Sequence, residues 1–315
     1  MAIVKDAKDC IEPYPCSGYK VEFVKGIGKV STSMGISPLI MALGSEHYSN
    51  TPKSNYHSAT TVSAGGWRDI PAECFKNGRN GSMCDIYAAF YDKETQADSD
   101  IKDAVIQAMP KALRDAQTEK VLFNTLQGEI NLDRLFSGDR RFLRRRVMDK
   151  QNRPVIGLGV PVQANCNIST SIVSIRSVVC AMAVEILEMQ GYSVEVYAIA
   201  YGTREYHSSG QNDGLQAVRI KPAGETMAQS TILNATSGWA FRTAFFGMIE
   251  YAGRSTSGLG HAGEMSETQT EILRDYLPEL DDFMVLNCYP NNNNRNEQIK
   301  KAVDELVRVV TPYLA

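Results

Sequence analysis

The chain has 315 residues, of which 43% are hydrophobic and 22% are charged, and its formal net charge is −3. These values are typical of a soluble globular protein with one large or two modest domains. They exclude a protein that is basic as a whole, although a local basic patch stays open. No apolar run approaches the roughly 20 residues that cross a membrane. The N-terminus lacks the basic start and apolar core of a secretory signal. We therefore expect a cytoplasmic protein without membrane contact.

The N-terminal region is rich in Gly, Ser, Asn, Tyr and Pro and shows weak periodicity, which predicts an irregular α+β region. The run Gly26–Ser31 lacks the spacing of a phosphate-binding GxxxxGK[ST] loop. His47, His57, Cys74 and Cys84 are spaced too irregularly to indicate a zinc site. The seven cysteines contain no CxxC pair, so we expect free thiols in a reducing compartment.

A helix is predicted to begin at Ser99, whose hydroxyl can cap it and which is followed by two aspartates in the first turn. Pro110 must kink or split this helix. The apolar face is predicted to continue from Leu113 to Gly128.

The densest charge cluster follows, between Asp133 and Arg153, and we place there the boundary between two units, residues 1–130 and 131–315. Five arginines of the cluster flank Phe142 and Leu143: Arg140, Arg141, Arg144, Arg145 and Arg146. Such a run can contact nucleic-acid phosphates or an acidic partner protein. The alternative is a solvated helix or strand whose arginines pair with nearby aspartates.

The clearest pattern in the chain predicts a strand, a helix and a second strand. An apolar run covers Val155–Val160, and a helical pattern extends from about Ile172 to Gln190. Gly191 ends that helix, and a second apolar run covers Val194–Ala200. A βαβ unit of this kind predicts a parallel sheet.

The remaining sequence continues the alternation of strands and helices. Leu215–Lys221 and Phe283–Leu286 are predicted strands, and Trp239–Ala252 and Thr268–Leu277 are predicted helices. Asn296 is predicted to cap the last helix.

The order of elements over residues 131–315 resembles a von Willebrand factor A-like domain, which is a doubly wound α/β fold with a mainly parallel sheet. It looks most similar to uncharacterised bacteriophage proteins of that kind. The residues that carry the resemblance are the leader Leu132–Asp139, the strand Arg153–Val160 and the helix-turn-strand Met182–Tyr197. It implies a phage-encoded protein of the host cell cytoplasm. It also implies a protein partner, either a MoxR-type AAA+ ATPase or further copies in an assembly.

The resembling family holds Mg²⁺ at an Asp-x-Ser-x-Ser motif after the first strand. The corresponding residues here are Pro161–Asn165, and Asn287–Cys288 stand where the family offers an acidic residue. Divalent cations of this kind prefer carboxylate oxygens. The resemblance therefore implies a degenerate metal-ion-dependent adhesion site, with no metal and no other cofactor.

The C-terminal edge of the sheet is the natural ligand crevice of an open α/β fold. The side chains expected to line it suit a peptide or a polar ligand: Gln163, Asn165, Asn167, Ser169, Ser171, Thr203, Arg204, Asn287 and Tyr289. The plainer alternative is that Asn167, Ser169 or Thr170 only caps the following helix.

Three functions follow from these patterns. The first is a non-enzymatic interaction or assembly module, acting as an adaptor with a degenerate metal site. The second is a nucleic-acid-binding protein of phage replication or transcription that uses Arg140–Arg146. The third is a hydrolase or transferase at the strand edge. Spacing supports no catalytic set, and His261 lies alone in a glycine-rich loop. No catalytic residue is therefore assigned, and an enzyme is the less favoured class.

Overall fold

A computed structural model describes residues 19–24, 28–33, 62–63, 80–81, 97–111, 113, 121–124, 129–130, 143–146, 154–164, 167–201, 214–225, 229–240, 242, 267–277 and 280–314. The strands are β1 Tyr19–Val24, β2 Gly28–Ser33, β3 Val62–Ser63, β4 Asn80–Gly81, β5 Val121–Asn124, β6 Glu129–Ile130, β7 Leu143–Arg146, β8 Val155–Pro161, β9 Ser193–Tyr201, β10 Gly214–Lys221 and β11 Asp282–Val285. The helices are α1 Ala97–Ala108, α2 Thr170–Met189, α3 Gln229–Ala235, α4 Gly238–Ala240, α5 Glu267–Tyr276 and α6 Arg295–Val310, followed by a 3₁₀ turn at Thr311–Tyr313.

Six strands form one mixed sheet in the order β1-β2-β10-β9-β8-β11. The pairs β2–β10, β9–β8 and β8–β11 are parallel, whereas β1–β2 and β10–β9 are antiparallel. Two smaller sheets pair β3 with β4 and place β7 between β5 and β6. The described chain thus has an α/β fold with a mostly parallel central sheet.

The predicted βαβ unit is confirmed as β8, α2 and β9. Gly191 follows α2 with a φ of 98°, a left-handed conformation that glycine adopts without strain. This residue therefore ends the helix as its position predicts.

Several predicted boundaries are wrong. The helix expected at Ser99 begins at Ala97, and the helical continuation expected from Leu113 to Gly128 contains β5 instead. Pairing of β5 with β7 satisfies its backbone there, and tertiary pairing outweighs the helical spacing of the apolar residues. The last helix is capped by Asn294, whose side chain accepts a hydrogen bond from the Glu297 N–H. The predicted helix Trp239–Ala252 lies mostly outside the described residues.

Two hydrophobic cores lie on the two faces of the sheet. The first core contains α2, packed against α1, α3 and α6, and it buries Leu158 of β8 and Val196 of β9. The second core contains α5 and buries Tyr197 and Ile199 of β9. Successive residues of β9 therefore enter opposite cores, as the two-residue period of a strand requires. The strands β1 and β2 and the helix α1 come from the region before residue 131 and join this sheet and the first core.

The helix α2 is the centre of the first core. It is 20 residues long, and the mean hydropathy of its most apolar window is 1.7, enough to span a membrane by length and composition. By length and composition, the prediction that no apolar run is long enough to cross a membrane is therefore wrong. However, 78% of that window is buried inside the protein, which is the position of a core helix.

An ion pair between a buried lysine and a half-buried glutamate joins α2 to β10. The Lys221 ammonium lies 2.6 Å from the Glu188 carboxylate and also donates to the Val194 carbonyl oxygen. Lys221 is 1% exposed, so removing only its partner would leave a buried charge, which is strongly destabilising.

Two glycines of β8 make room for the second core. A Cβ at Gly157 would overlap Leu280 Cδ1 and lie 2.6 Å from Phe283 Cδ2. One at Gly159 would overlap Ile199 Cδ1 and lie 2.9 Å from Phe283 Cζ. Real Cβ atoms do not approach this closely, so the Phe283 ring lies on β8 only because both residues lack side chains.

Charged side chains cover the outer side of β11, which is an edge strand among the described strands. Arg274 donates to the Phe283 carbonyl oxygen and Arg308 to the Val285 carbonyl oxygen, at 3.0 and 2.7 Å. The Asp282 carboxylate accepts the Phe283 N–H. Backbone groups of an exposed edge otherwise template pairing with another chain, so these contacts oppose edge-to-edge association.

We expect Gly157→Val to lower the free energy of unfolding by about 1–3 kcal/mol, because the new side chain overlaps Leu280 and Phe283. Urea unfolding measures this loss. Combining it with Phe283→Leu should recover part of the loss, since the smaller side chain can move aside. Strictly additive losses in the double variant would show that Phe283 is not the obstacle.

We expect the double variant Arg274→Ala/Arg308→Ala to self-associate more than the wild type, because two edge carbonyls lose their donors. Sedimentation velocity measures the fraction of larger species. The control is Lys111→Ala/Lys300→Ala, which removes the same charge from two exposed positions. Equal association of both variants would assign the effect to net charge.

Candidate functional site

The order of the sheet reverses between β8 and β11. From β8 the chain proceeds through α2 to β9 on one side, and β11 lies on the other side. Both neighbours run parallel to β8, so the three carboxyl ends meet at one edge. Ligands of open α/β sheets bind outside such ends, at the point where the order reverses. We call the space above Pro161 and Val285, between the first turns of α2 and α6, the crevice.

The floor of the crevice is held by Arg176 of α2. Its Nη1 donates to the Gln163 carbonyl oxygen at 2.7 Å, and its Nη2 donates to the Val162 carbonyl oxygen at 2.6 Å. These carbonyls belong to the segment that follows β8. One side chain therefore fixes the path of the chain where it leaves the central strand.

Arg176 has no carboxylate partner among the described residues, although it is only 1% exposed. Its Nε also has no hydrogen-bond partner there. Burial lowers the pKa of Arg176 to about 10, with a further lowering by the positive charge of Arg242, so the group is still charged at neutral pH. An unpaired buried charge is destabilising, which makes this position unusual for a purely structural arginine.

A small cavity lies beside this guanidinium. Its polar lining comes from Arg176, Cys288, Gln298 and Lys301, and Ile172 contributes to its apolar wall. The cavity leaves about 10 Å³ for the centre of a water molecule, which is enough space for one water.

The rim of the crevice is held by Asn293. Its Oδ1 accepts a hydrogen bond from the Ser169 N–H at 3.0 Å, and its Nδ2 donates to the Asn167 carbonyl oxygen at 3.0 Å. The segment before α6 is thereby fixed to the segment before α2. Ser169 occupies the N-cap position of α2, but its side chain makes no capping bond, and its hydroxyl lies 3.1 Å from that of Ser171. The Ser169 side chain therefore does not cap α2.

The predicted crevice residues fall into two layers. Gln163 and Tyr289 are buried in the floor, whereas Asn167, Ser169 and Ser171 are exposed on the rim. The half-buried Asn287 instead donates its N–H to the Glu305 carboxylate, on the side of α6. Asn165, Thr203 and Arg204 lie outside the described residues.

The arginine run has a partly described backbone. Arg144–Arg146 belong to β7, the central strand of the three-stranded sheet, with Arg145 paired to Leu122 and Arg144 to Phe123. Arg140 and Arg141 lie outside the described residues.

The described part of the chain brings together no group of three or more His, Cys, Asp or Glu side chains that could hold a metal ion. Within residues 161–165, which the resemblance aligns with the metal motif, Val162 and Ala164 are buried, and the Val162 N–H donates to the Ile199 carbonyl oxygen. Val162 and Ala164 continue the sheet, and their side chains have no oxygen atom that could bind a metal ion.

Sequence reasoning missed Arg176 and Asn293. The sequence could have indicated Arg176, because a charged residue there lies on the apolar face of a core helix, between Ile172 and Val179. The sequence could not have indicated Asn293, because a run of four asparagines predicts only a polar turn.

A family model described as a domain of unknown function, DUF7192, matches residues 95–310. The chain belongs to the DUF7192 family. The DUF7192 match begins just before α1 and ends with α6, so the crevice, Arg176 and Asn293 all lie within it. No curated protein and no solved structure matches the chain.

We expect the buried thiols to lower stability at high pH. Burial raises the pKa of Cys180 to about 12, and burial also raises the pKa of Cys288. Unfolded thiols ionise near pH 8.5 and the native ones do not, so the unfolded state gains stability as the pH rises past that value. Between pH 7 and about 10 this removes about 1–2 kcal/mol per thiol.

Urea unfolding of wild type and Cys180→Ala at both pH values isolates one thiol, because the other titrating groups are shared. The variant should lose less stability over this interval than the wild type. An identical pH dependence in the two proteins would contradict the assignment to Cys180.

Proposed function

We propose that this protein is a non-enzymatic interaction or assembly module with a von Willebrand A-like fold, which binds a protein partner at the crevice without a metal ion. Counting from β8, the order β10-β9-β8-β11 is 3-2-1-4, which is the order of a doubly wound sheet and supports this fold.

The observation that carries the proposal is the hydrogen-bonded polar rim. Asn293, in the segment before α6, bonds to the backbone of Ser169 and Asn167, so it joins that segment to the segment before α2. The exposed side chains of Asn167, Ser169 and Ser171 lie at this junction. Preorganised donors and acceptors bind a peptide with less loss of conformational entropy than a mobile loop. A rim of amides and hydroxyls suits hydrogen bonds to a polypeptide, and it offers no carboxylate for a metal.

The proposed setting follows the resemblance over residues 131–315. We place the protein in the cytoplasm of a phage-infected host, with a MoxR-type AAA+ ATPase or a further copy of this chain as partner. Nucleic-acid binding through Arg140–Arg146 and a hydrolase or transferase at the strand edge stay alternative predictions.

The test is recovery of partners from host lysate on the immobilised full-length protein. We compare the wild type with Ser171→Arg, which puts a bulky charge on the rim, and with Thr268→Arg, which puts the same charge on an exposed residue of α5. A specific protein should be recovered by the wild type and Thr268→Arg and fall about tenfold with Ser171→Arg, equivalent to about 1.4 kcal/mol of binding.

Treatment of the lysate separates the alternatives. Recovery that survives both nuclease and EDTA supports metal-independent protein binding. Loss with EDTA would show that a metal is required after all, and loss with nuclease would assign recognition to the arginine run. Undiminished recovery by Ser171→Arg would place the partner elsewhere on the surface.

A further inference from the structure

The turn of four asparagines before α6 contains side-chain amides whose orientation is set by backbone donors. The Asn292 Oδ1 accepts the Asn294 N–H at 2.9 Å, and the Asn294 side chain accepts the Glu297 N–H as the N-cap of α6. A backbone N–H can only donate, so each contact identifies the amide oxygen. The NH₂ groups of Asn292 and Asn294 are therefore left for partners other than these backbone donors.

Gln298 of α6 sets the orientation of a third amide. Its Nε2 donates to the Asn292 Oδ1 at 3.0 Å, and this oxygen is already identified by the backbone N–H that it accepts. The same Nε2 donates to the Asn291 Oδ1 at 2.9 Å. Gln298 is only 5% exposed, so both asparagine oxygens are held by a donor from the protein interior. The NH₂ group of Asn291 is thus also left for a partner outside the turn.

Three NH₂ groups of this turn are unused donors. Asn291 and Asn294 are exposed and Asn292 is half-buried, and in the described structure their Nδ2 atoms donate to no other protein group. Asn293 differs, because both its amide atoms bond to the segment before α2 and attach the turn to the rim of the crevice. The turn therefore adds hydrogen-bond donors to the rim, while its side-chain oxygens are already used within the protein.

These donors are neutral, which indicates the kind of acceptor that they suit. The charged residues that follow the turn, Arg295 and Glu297, have opposite signs, and Arg295 donates to the Asp100 carbonyl oxygen. Phosphates and carboxylates are bound most strongly by charged donors. Neutral amides suit the neutral carbonyl oxygens of a polypeptide main chain, because no charge then has to leave water.

We propose that the asparagine turn, residues 291–294, binds main-chain carbonyl oxygens of an extended segment of the partner through the NH₂ groups of Asn291, Asn292 and Asn294. An extended segment has unpaired carbonyl oxygens along its edge, whereas those within a helix are already paired. The inference rests on the proposed function, because the turn lies on the rim of the same crevice, and it specifies what the partner presents there.

Changing asparagine to aspartate tests the donors and preserves the turn. Aspartate keeps the oxygen that accepts the internal hydrogen bond and replaces only the NH₂ group by a second acceptor. Asn292→Asp and Asn294→Asp should therefore have a Tm no lower than that of the wild type, since acids are favourable at the start of α6. The matched control is Gln107→Glu, the same change from amide to acid at an exposed residue of α1.

The probe is a library of random peptides displayed on phage and selected on the immobilised full-length protein. Rim peptides are those that lose binding to Ser171→Arg, and fluorescence anisotropy measures their affinities. We expect Asn292→Asp and Asn294→Asp each to weaken a rim peptide about tenfold, equivalent to about 1.4 kcal/mol, because a donor becomes an oxygen that repels the carbonyl. Gln107→Glu should bind like the wild type, and salt should change the affinity little.

Each contrary result has a distinct meaning. If rim peptides bind Asn292→Asp and Asn294→Asp as tightly as the wild type, this inference is wrong and the proposed function stands. If the rim peptides share an acidic residue and bind less tightly at high salt, the acceptor is charged, and the inference is again wrong. If no selected peptide is sensitive to Ser171→Arg, the rim binds no peptide, and the proposed function fails together with this inference.

Discussion

The two hydrogen bonds from Arg176 to the carbonyls of Val162 and Gln163 determine how the chain leaves its central strand. Carbonyl groups at a buried strand end have no ladder partner and need donors within the core. A guanidinium can reach both at once because its planar fork presents parallel N–H groups. The same contacts attach α2, the central helix of the first core, to the sheet. The floor of the crevice therefore depends on one buried cation.

The rest of the architecture holds the sheet edges and faces around that point. Gly157 and Gly159 allow Phe283 to lie against β8, which brings β11 and its following loop beside the crevice. That loop carries Asn293, which closes the rim by bonding to the segment before α2. The ion pair of Lys221 with Glu188 fixes the other end of α2 to β10. Each of these contacts joins segments far apart in sequence.

The crevice combines a polar rim with a positively charged floor. In open α/β folds a bound cation or the N-terminal end of a helix often supplies positive charge at this edge. Here the chain itself supplies it through Arg176, within residues matched by the DUF7192 family model. A fixed cation does not depend on metal supply, but its buried charge is stable only if something compensates for it.

The sequence by itself determined the βαβ unit, because periods of 2 and 3.6 residues are local properties of strands and helices, and Gly191 is a local stop signal. It also predicted a polar crevice at the strand edge with residues such as Asn167 and Ser169, and its role as a binding site stays a prediction. Only the tertiary structure decided that Val121–Asn124 is a strand, since its pairing with β7 outweighs a helical pattern. Only the tertiary structure placed Asn293 on Ser169 and Arg176 beside Cys288, because 124 and 112 residues separate these pairs. Local patterns carry no information about contacts over such distances, which depend on how the sheet is ordered.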